Sequence, residues 1–132
     1  MNGYLYVGLG GALGSMARYG VSLLAVRLLG PAFPWGTLII NVLGSFVISF
    51  FGTLTAAGGA APASAGLRIL VMVGICGGFT TFSSFSLQTL ELARGDAWAA
   101  AMANIVLSVA LCLLAVSAGF GLAARIGAAA GP

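Results

Sequence analysis

Long apolar runs alternate with short polar breaks along the whole chain. A helix needs about 20 predominantly apolar residues to cross the hydrocarbon core of a bilayer. Four runs qualify: about Tyr4 to Leu28, Trp35 to about Thr55, about Leu67 to Leu92, and Trp98 to about Ala124. Between them, Gly30-Pro31-Ala32-Phe33-Pro34 predicts a tight proline-bounded turn. Ala56 to Gly66, with Pro62 and several glycines, predicts a flexible loop, and Glu91, Arg94, Gly95 and Asp96 a short polar hairpin. Trp35 and Trp98 open their runs where interfacial tryptophans are expected. The pattern predicts an all-α integral membrane protein with one four-helix domain over residues 1–126. The Ala/Gly-rich stretch 127–132 is expected to be a disordered tail.

Polar residues recur inside these runs at helical spacing. In the second, Thr37, Asn41, Ser45 and Ser49 fall every four residues, so each step turns only about 40° around the helix. In lipid such a face must meet protein or a wet path. Interhelical hydrogen bonding and an aqueous pathway both account for it. In the first, Gly11, Gly14, Ser15, Arg18 and Ser22 form a small, cationic face. The guanidinium keeps its charge, so Arg18 either snorkels to the interface or attracts anions into a vestibule. The fourth carries Asn104, Ser108 and Cys112.

Composition removes most other classes. Of 132 residues, 61% are hydrophobic and 5% charged, with a formal net charge of +3, and the mean hydropathy is +1.15. A soluble domain carries about 25% charged residues. The five basic residues are scattered arginines and make no face for nucleic acid. Cys76 and Cys112 lie inside apolar runs, so neither a disulfide framework nor zinc-ligand spacing is offered. There is no histidine, and Glu91 and Asp96 sit together in one hairpin, so no nucleophile–base pair can be assembled and no enzyme is expected. Met1-Asn2-Gly3 lacks the basic start of a signal peptide. The glycines Gly8, Gly10, Gly11 and Gly14 have the wrong spacing for a dinucleotide loop, and Gly10 to Gly14 reads as a close-packing GxxxG face.

Four spans place both ends of the domain on one side. Arg68 and Arg125 then share that side, while Arg27 and Arg94 lie opposite. The positive-inside rule has little to act on, so insertion in both orientations and antiparallel pairing of two subunits are expected. A single orientation fixed by a weak bias such as Arg18 is the alternative.

The third run holds Gly74-Ile75-Cys76-Gly77-Gly78-Phe79-Thr80-Thr81-Phe82-Ser83-Ser84-Phe85-Ser86. Paired glycines and adjacent threonines are poor helix material, so the helix is expected to break near mid-membrane, opened by Gly77 and Gly78. Freed carbonyls there need a partner, and a bound cation commonly supplies one. Phe79, Phe82 and Phe85 recur every three residues among hydroxyls. A phenyl rim is electropositive, so ring edges, hydroxyls and amide protons together can replace water around a small anion without trapping it.

These blocks resemble the Fluc (CrcB) family of bacterial fluoride exporters, which are small dual-topology channels. The similarity lies in Gly10-Gly11-Ala12-Leu13-Gly14 through Arg18-Tyr19, in Gly36-Thr37-Leu38 through Asn41 and Gly44-Ser45-Phe46, and in Gly77-Gly78 through Ser86. The fourth run departs from the family's tyrosine-and-serine track with Asn104, Ser108 and Cys112. The resemblance implies an antiparallel homodimer in the bacterial inner membrane, with two pores passing fluoride by passive electrodiffusion and so giving fluoride resistance. It implies that the edges of Phe82 and Phe85 contact fluoride, that Asn41 donates to it, and that Ser83, Ser84, Ser108 and Thr37 line the path. It puts Arg18 at a vestibule. It also implies one structural sodium ion at the dimer centre, held by the Gly77 and Thr80 carbonyls of both subunits.

The rival reading is a proton-coupled exporter of the small multidrug resistance type. Its chemistry needs a carboxylate in the first span, where this chain has Arg18. A purely structural helper subunit would explain the small-residue packing but not three polar stripes beside an aromatic, glycine-rich run.

Overall fold

The computed structural model describes residues 2–130. It is all-helical, with four segments long and apolar enough to cross a membrane: Gly3–Leu29, Trp35–Leu54, Ala65–Arg94 and Trp98–Ala129. We label the helices α1 (Gly3–Leu29), α2 (Trp35–Leu54), α3 (residues 65–79), α4 (Phe82–Arg94) and α5 (Trp98–Ala130). The third segment thus contains both α3 and α4.

Local chemistry sets the ends. The Asn2 side chain accepts from Tyr4 N–H at 3.5 Å to start α1, and Gly30 closes it at φ 80°, a backbone conformation that residues with a side chain rarely adopt. Ser64 caps α3 by accepting from Leu67 N–H at 3.3 Å. The α4–α5 hairpin turns through Asp96 at φ 58°, a left-handed conformation that aspartate tolerates better than most side chains.

Two features of the third segment bear on the site. Ile69–Cys76 is wound as a π-helix, a form that is rare and concentrated at functional sites. Gly77 itself is helical, at φ −64° and ψ −38°. The extended residues come later: Thr80 at φ −77°, ψ 158° and Thr81 at φ −156°, ψ 113°. The opening therefore falls on the threonines, not on the glycines expected to provide it. Branching at Cβ favours extended backbone, and Gly78 serves packing instead, since a Cβ there would stand 3.0 Å from the Gly11 Cα.

The apolar exterior and thin interior fit a lipid solvent, which drives association through close packing rather than burial. α2 packs chiefly along α5 and α1 along α3. Where α1 crosses α3, a Cβ on Gly10 would stand 2.8 Å from the Gly74 Cα, so both positions need glycine. At the other end of α2, Arg68 donates to Gly52 O at 2.9 Å and Thr55 Oγ1 at 2.8 Å. It thereby satisfies a terminal carbonyl and places its charge on the negative end of the helix.

The pattern predicts an end to the last helix near Ala124 and a disordered tail from Gly127. The helix instead continues to Ala130, because the three alanines after Gly127 have the highest helix propensity and offset one glycine. Gly131 and Pro132 lie outside the described residues.

Candidate functional site

The extended Thr80–Thr81 link meets α2 at Asn41. Thr81 N–H donates to Asn41 Oδ1 at 2.8 Å, and Asn41 Nδ2 donates to Thr81 O at 3.0 Å. One turn along α2, Gly44 leaves room for the Thr80 methyl, which any side chain there would strike. The Thr81 hydroxyl then caps α4 by accepting from Ser84 N–H at 3.2 Å. It also lies 3.1 Å from Ser84 Oγ and 3.2 Å from Ser83 Oγ. The cap directs the positive end of the α4 dipole to the interruption.

Around this junction lies a cavity of about 380 Å³, lined by Asn41, Ser45, Thr80, Thr81, Phe82, Phe85, Ser108 and Cys112 together with apolar residues of α2 and α5. Its lining among the described residues carries amide, hydroxyl, thiol and aromatic groups and no formal charge. Phe82 and Phe85 stand with ring centroids 5.3 Å apart and planes tilted by 50°. Phe85 is buried, whereas Phe82 is 78% exposed on the single chain.

Of the residues expected to act together, the cavity gathers Asn41, Phe82, Phe85 and Ser108. Ser83 and Ser84 lie behind it on Thr81. Thr37 is buried and lines a different cavity of about 480 Å³, shared with Ser22, Trp35, Gln88 and Glu91. Arg18 lines neither cavity; its guanidinium donates to Ser15 Oγ at 3.4 Å, and Ser15 in turn donates to Gly78 O at 3.5 Å.

Gly77 and Thr80 are joined by one consequence of the interruption. In a continuous helix their carbonyls would accept from the N–H groups of Thr81 and Ser84. Those donors are committed to Asn41 Oδ1 and Thr81 Oγ1 instead.

Two residues that sequence reasoning passed over are central. Thr81 joins α2, the interruption and the α4 cap, and its signal was a threonine placed three residues before Ser84, a helix-start pattern. Thr89 accepts from Asn104 Nδ2 at 2.8 Å and donates to Phe85 O at 2.8 Å. Ser108 donates to Asn104 Oδ1 at 3.4 Å. The fourth-span stripe therefore divides, with Ser108 and Cys112 on the cavity and Asn104 inside the α4–α5 contact.

Residues 5–120 match the family model described as CrcB-like protein, Camphor Resistance (CrcB). A Gluconobacter oxydans protein named fluoride-specific ion channel FluC is 58% identical over 116 residues, 87% of this chain and 80% of that one. A Methylobacterium radiotolerans protein of the same name is 54% identical over 121 residues, covering 92% and 84%. One from Methylocella silvestris is 52% identical over 123 residues, covering 93% and 94%.

Proposed function

Because the chain belongs to the CrcB-like family, we propose that this multi-pass membrane protein is a fluoride-selective channel that lets cytoplasmic fluoride leave by passive electrodiffusion. It is a channel and not an enzyme. The observation that carries the reading is the uncharged cavity in which Asn41, Ser45, Ser108 and the Phe82–Phe85 pair converge. Amide and hydroxyl protons with ring edges can take over the hydration of a small anion. The α4 dipole adds a fixed positive potential without a mobile counter-charge, and a neutral lining lets the ion leave again.

The working unit we propose is an antiparallel homodimer in the bacterial inner membrane. The exposure of Phe82, an aromatic residue on the cavity rim, supports a second subunit covering that side. The even arginine tally supports insertion both ways. Two pathways then run along the interface, with Thr37, Ser83 and Ser84 on their flanks and Arg18 at a vestibule. The Gly77 and Thr80 carbonyls, whose helical donors are committed elsewhere, would hold one sodium ion between the subunits near mid-membrane. Hard neutral oxygens suit that ion, and its charge would favour anions on either side. A proton-coupled drug exporter is not supported: the relatives carry another name, and the acids Glu91 and Asp96 lie at the α4–α5 hairpin.

Liposomes loaded with fluoride or chloride and containing the purified protein test this. Fluoride efflux should be fast and chloride efflux near background, with no dependence on a proton gradient. Equal efflux of the two halides, or none of either, would remove the channel reading.

A further inference from the structure

We propose that the Asn41 side chain and the extended Thr81 backbone form one fixed amide pair, which holds the third span open and leaves a single Asn41 N–H for the anion. The second half rests on the fluoride reading; the first does not.

The pair follows from backbone direction. In a helix the N–H and C=O of one residue point to opposite ends of the axis, so no single amide can bond both. In an extended residue they lie on the same edge. Thr81 is extended, and the Asn41 amide takes both groups, at 2.8 and 3.0 Å. Each partner selects the other. If the third span closed into a continuous helix, Thr81 N–H would return to Gly77 O and Asn41 would lose its acceptor role.

The same two bonds settle which way the amide faces. A flipped side chain would set two donors against each other and two acceptors against each other. A primary amide has two protons. One is used on Thr81 O, so one remains, on a side chain that lines the cavity. Two other hydroxyls there are engaged within the protein: Ser108 turns its proton to Asn104, and Thr81 Oγ1 lies against Ser83 and Ser84. Asn41 is thus a positioning residue for Phe82, Ser83, Ser84 and Phe85, which follow Thr81 directly, as well as a donor. Packing supports the arrangement, since Gly44 lets the Thr80 methyl approach α2.

The test uses full-length, isotope-labelled protein in lipid nanodiscs. Thr81 amide exchange should quicken about tenfold or more in Asn41→Ala, the change expected for losing one ordinary hydrogen bond. Asn41→Asp keeps the acceptor and loses both donors, so Thr81 should stay protected while fluoride flux falls. Titrating wild-type protein with sodium fluoride should shift one of the two Asn41 amide protons and leave Thr81 N–H in place. Equal Thr81 exchange in wild type and Asn41→Ala would overturn the pair. A shift of both Asn41 protons, or of neither, would overturn the single-donor assignment. If Asn41→Ala does not fold, unprotected Thr81 in wild type overturns the pair, and protection there matched by protection in Asn41→Asp supports it. Absence of wild-type flux would instead strike the channel reading, with the Thr81 result still standing.

Discussion

Asn104 is 1% exposed and donates to Thr89 Oγ1 at 2.8 Å, tying α5 to α4 behind the Phe85 ring. The bond continues through the Thr89 hydroxyl to Phe85 O, so the fourth span braces the helix that carries the aromatic pair.

Replacing Asn104 with alanine removes that brace and leaves a void. We expect a loss of about 1–3 kcal/mol, the usual range for a broken buried hydrogen bond. Thermal unfolding in detergent should show a lower midpoint, and Thr89→Val should lower it in the same direction. Unchanged midpoints for both variants would mean that the contact is incidental.

The aromatic pair should separate cleanly by site. Phe82→Ile and Phe85→Ile keep apolar bulk but lose the electropositive rim. Phe85 is buried within its own chain, so its replacement should also lower the unfolding midpoint. Both should cut fluoride efflux from liposomes by tenfold or more (about 1.4 kcal/mol in barrier height). Normal efflux from both would take the rings out of the pathway.

Arg68 should matter as a cap more than as an orientation signal. Arg68→Ala frees Gly52 O and the Thr55 hydroxyl, which receive its guanidinium protons. A cost of about 1–2 kcal/mol is expected for a lost charged hydrogen bond at a half-buried site. Lysine at the same position should recover part of it. An alanine variant as stable as wild type would overturn this assignment.

Gly10 and Gly8 make a matched pair for the α1–α3 contact. A Cβ at Gly10 would stand 2.8 Å from the Gly74 Cα, whereas one at Gly8 meets nothing within 4 Å. Gly10→Ala should therefore destabilise by about 1–3 kcal/mol through overpacking, and Gly8→Ala should be neutral or mildly stabilising. Equal midpoints would show that the helices can separate without cost.

The four apolar runs were legible because lipid leaves a helix little choice of exterior. The polar face of α2 was less so. Thr37, Asn41 and Ser45 read as one stripe, yet a four-residue step drifts by about 40° each time, and Thr37 ends on a different cavity from the other two. The interruption drew attention to Gly77 and Gly78 because glycine is the familiar helix breaker. What holds the opening is Asn41, 40 residues away in sequence, and no local pattern encodes that partner. Asn104 reads as one stripe with Ser108 and Cys112 because it keeps their spacing. Its amide is drawn aside by Thr89, a residue on another helix that periodicity cannot see.

The π-wound stretch Ile69–Cys76 makes tolerance to deletion uneven along the third span. A helix bonded from each residue to the fifth holds more chain per turn than an α-helix does. Loss of one residue near Val71 or Val73 can therefore be absorbed by rewinding to ordinary α-helix, leaving Phe82 and Phe85 on their original face. The same loss between Phe82 and Thr89 would swing every later side chain by about 100° and turn Thr89 away from Asn104. Chains shortened by one residue should survive when the gap falls within Ile69–Cys76 and fail when it falls between Phe82 and Thr89.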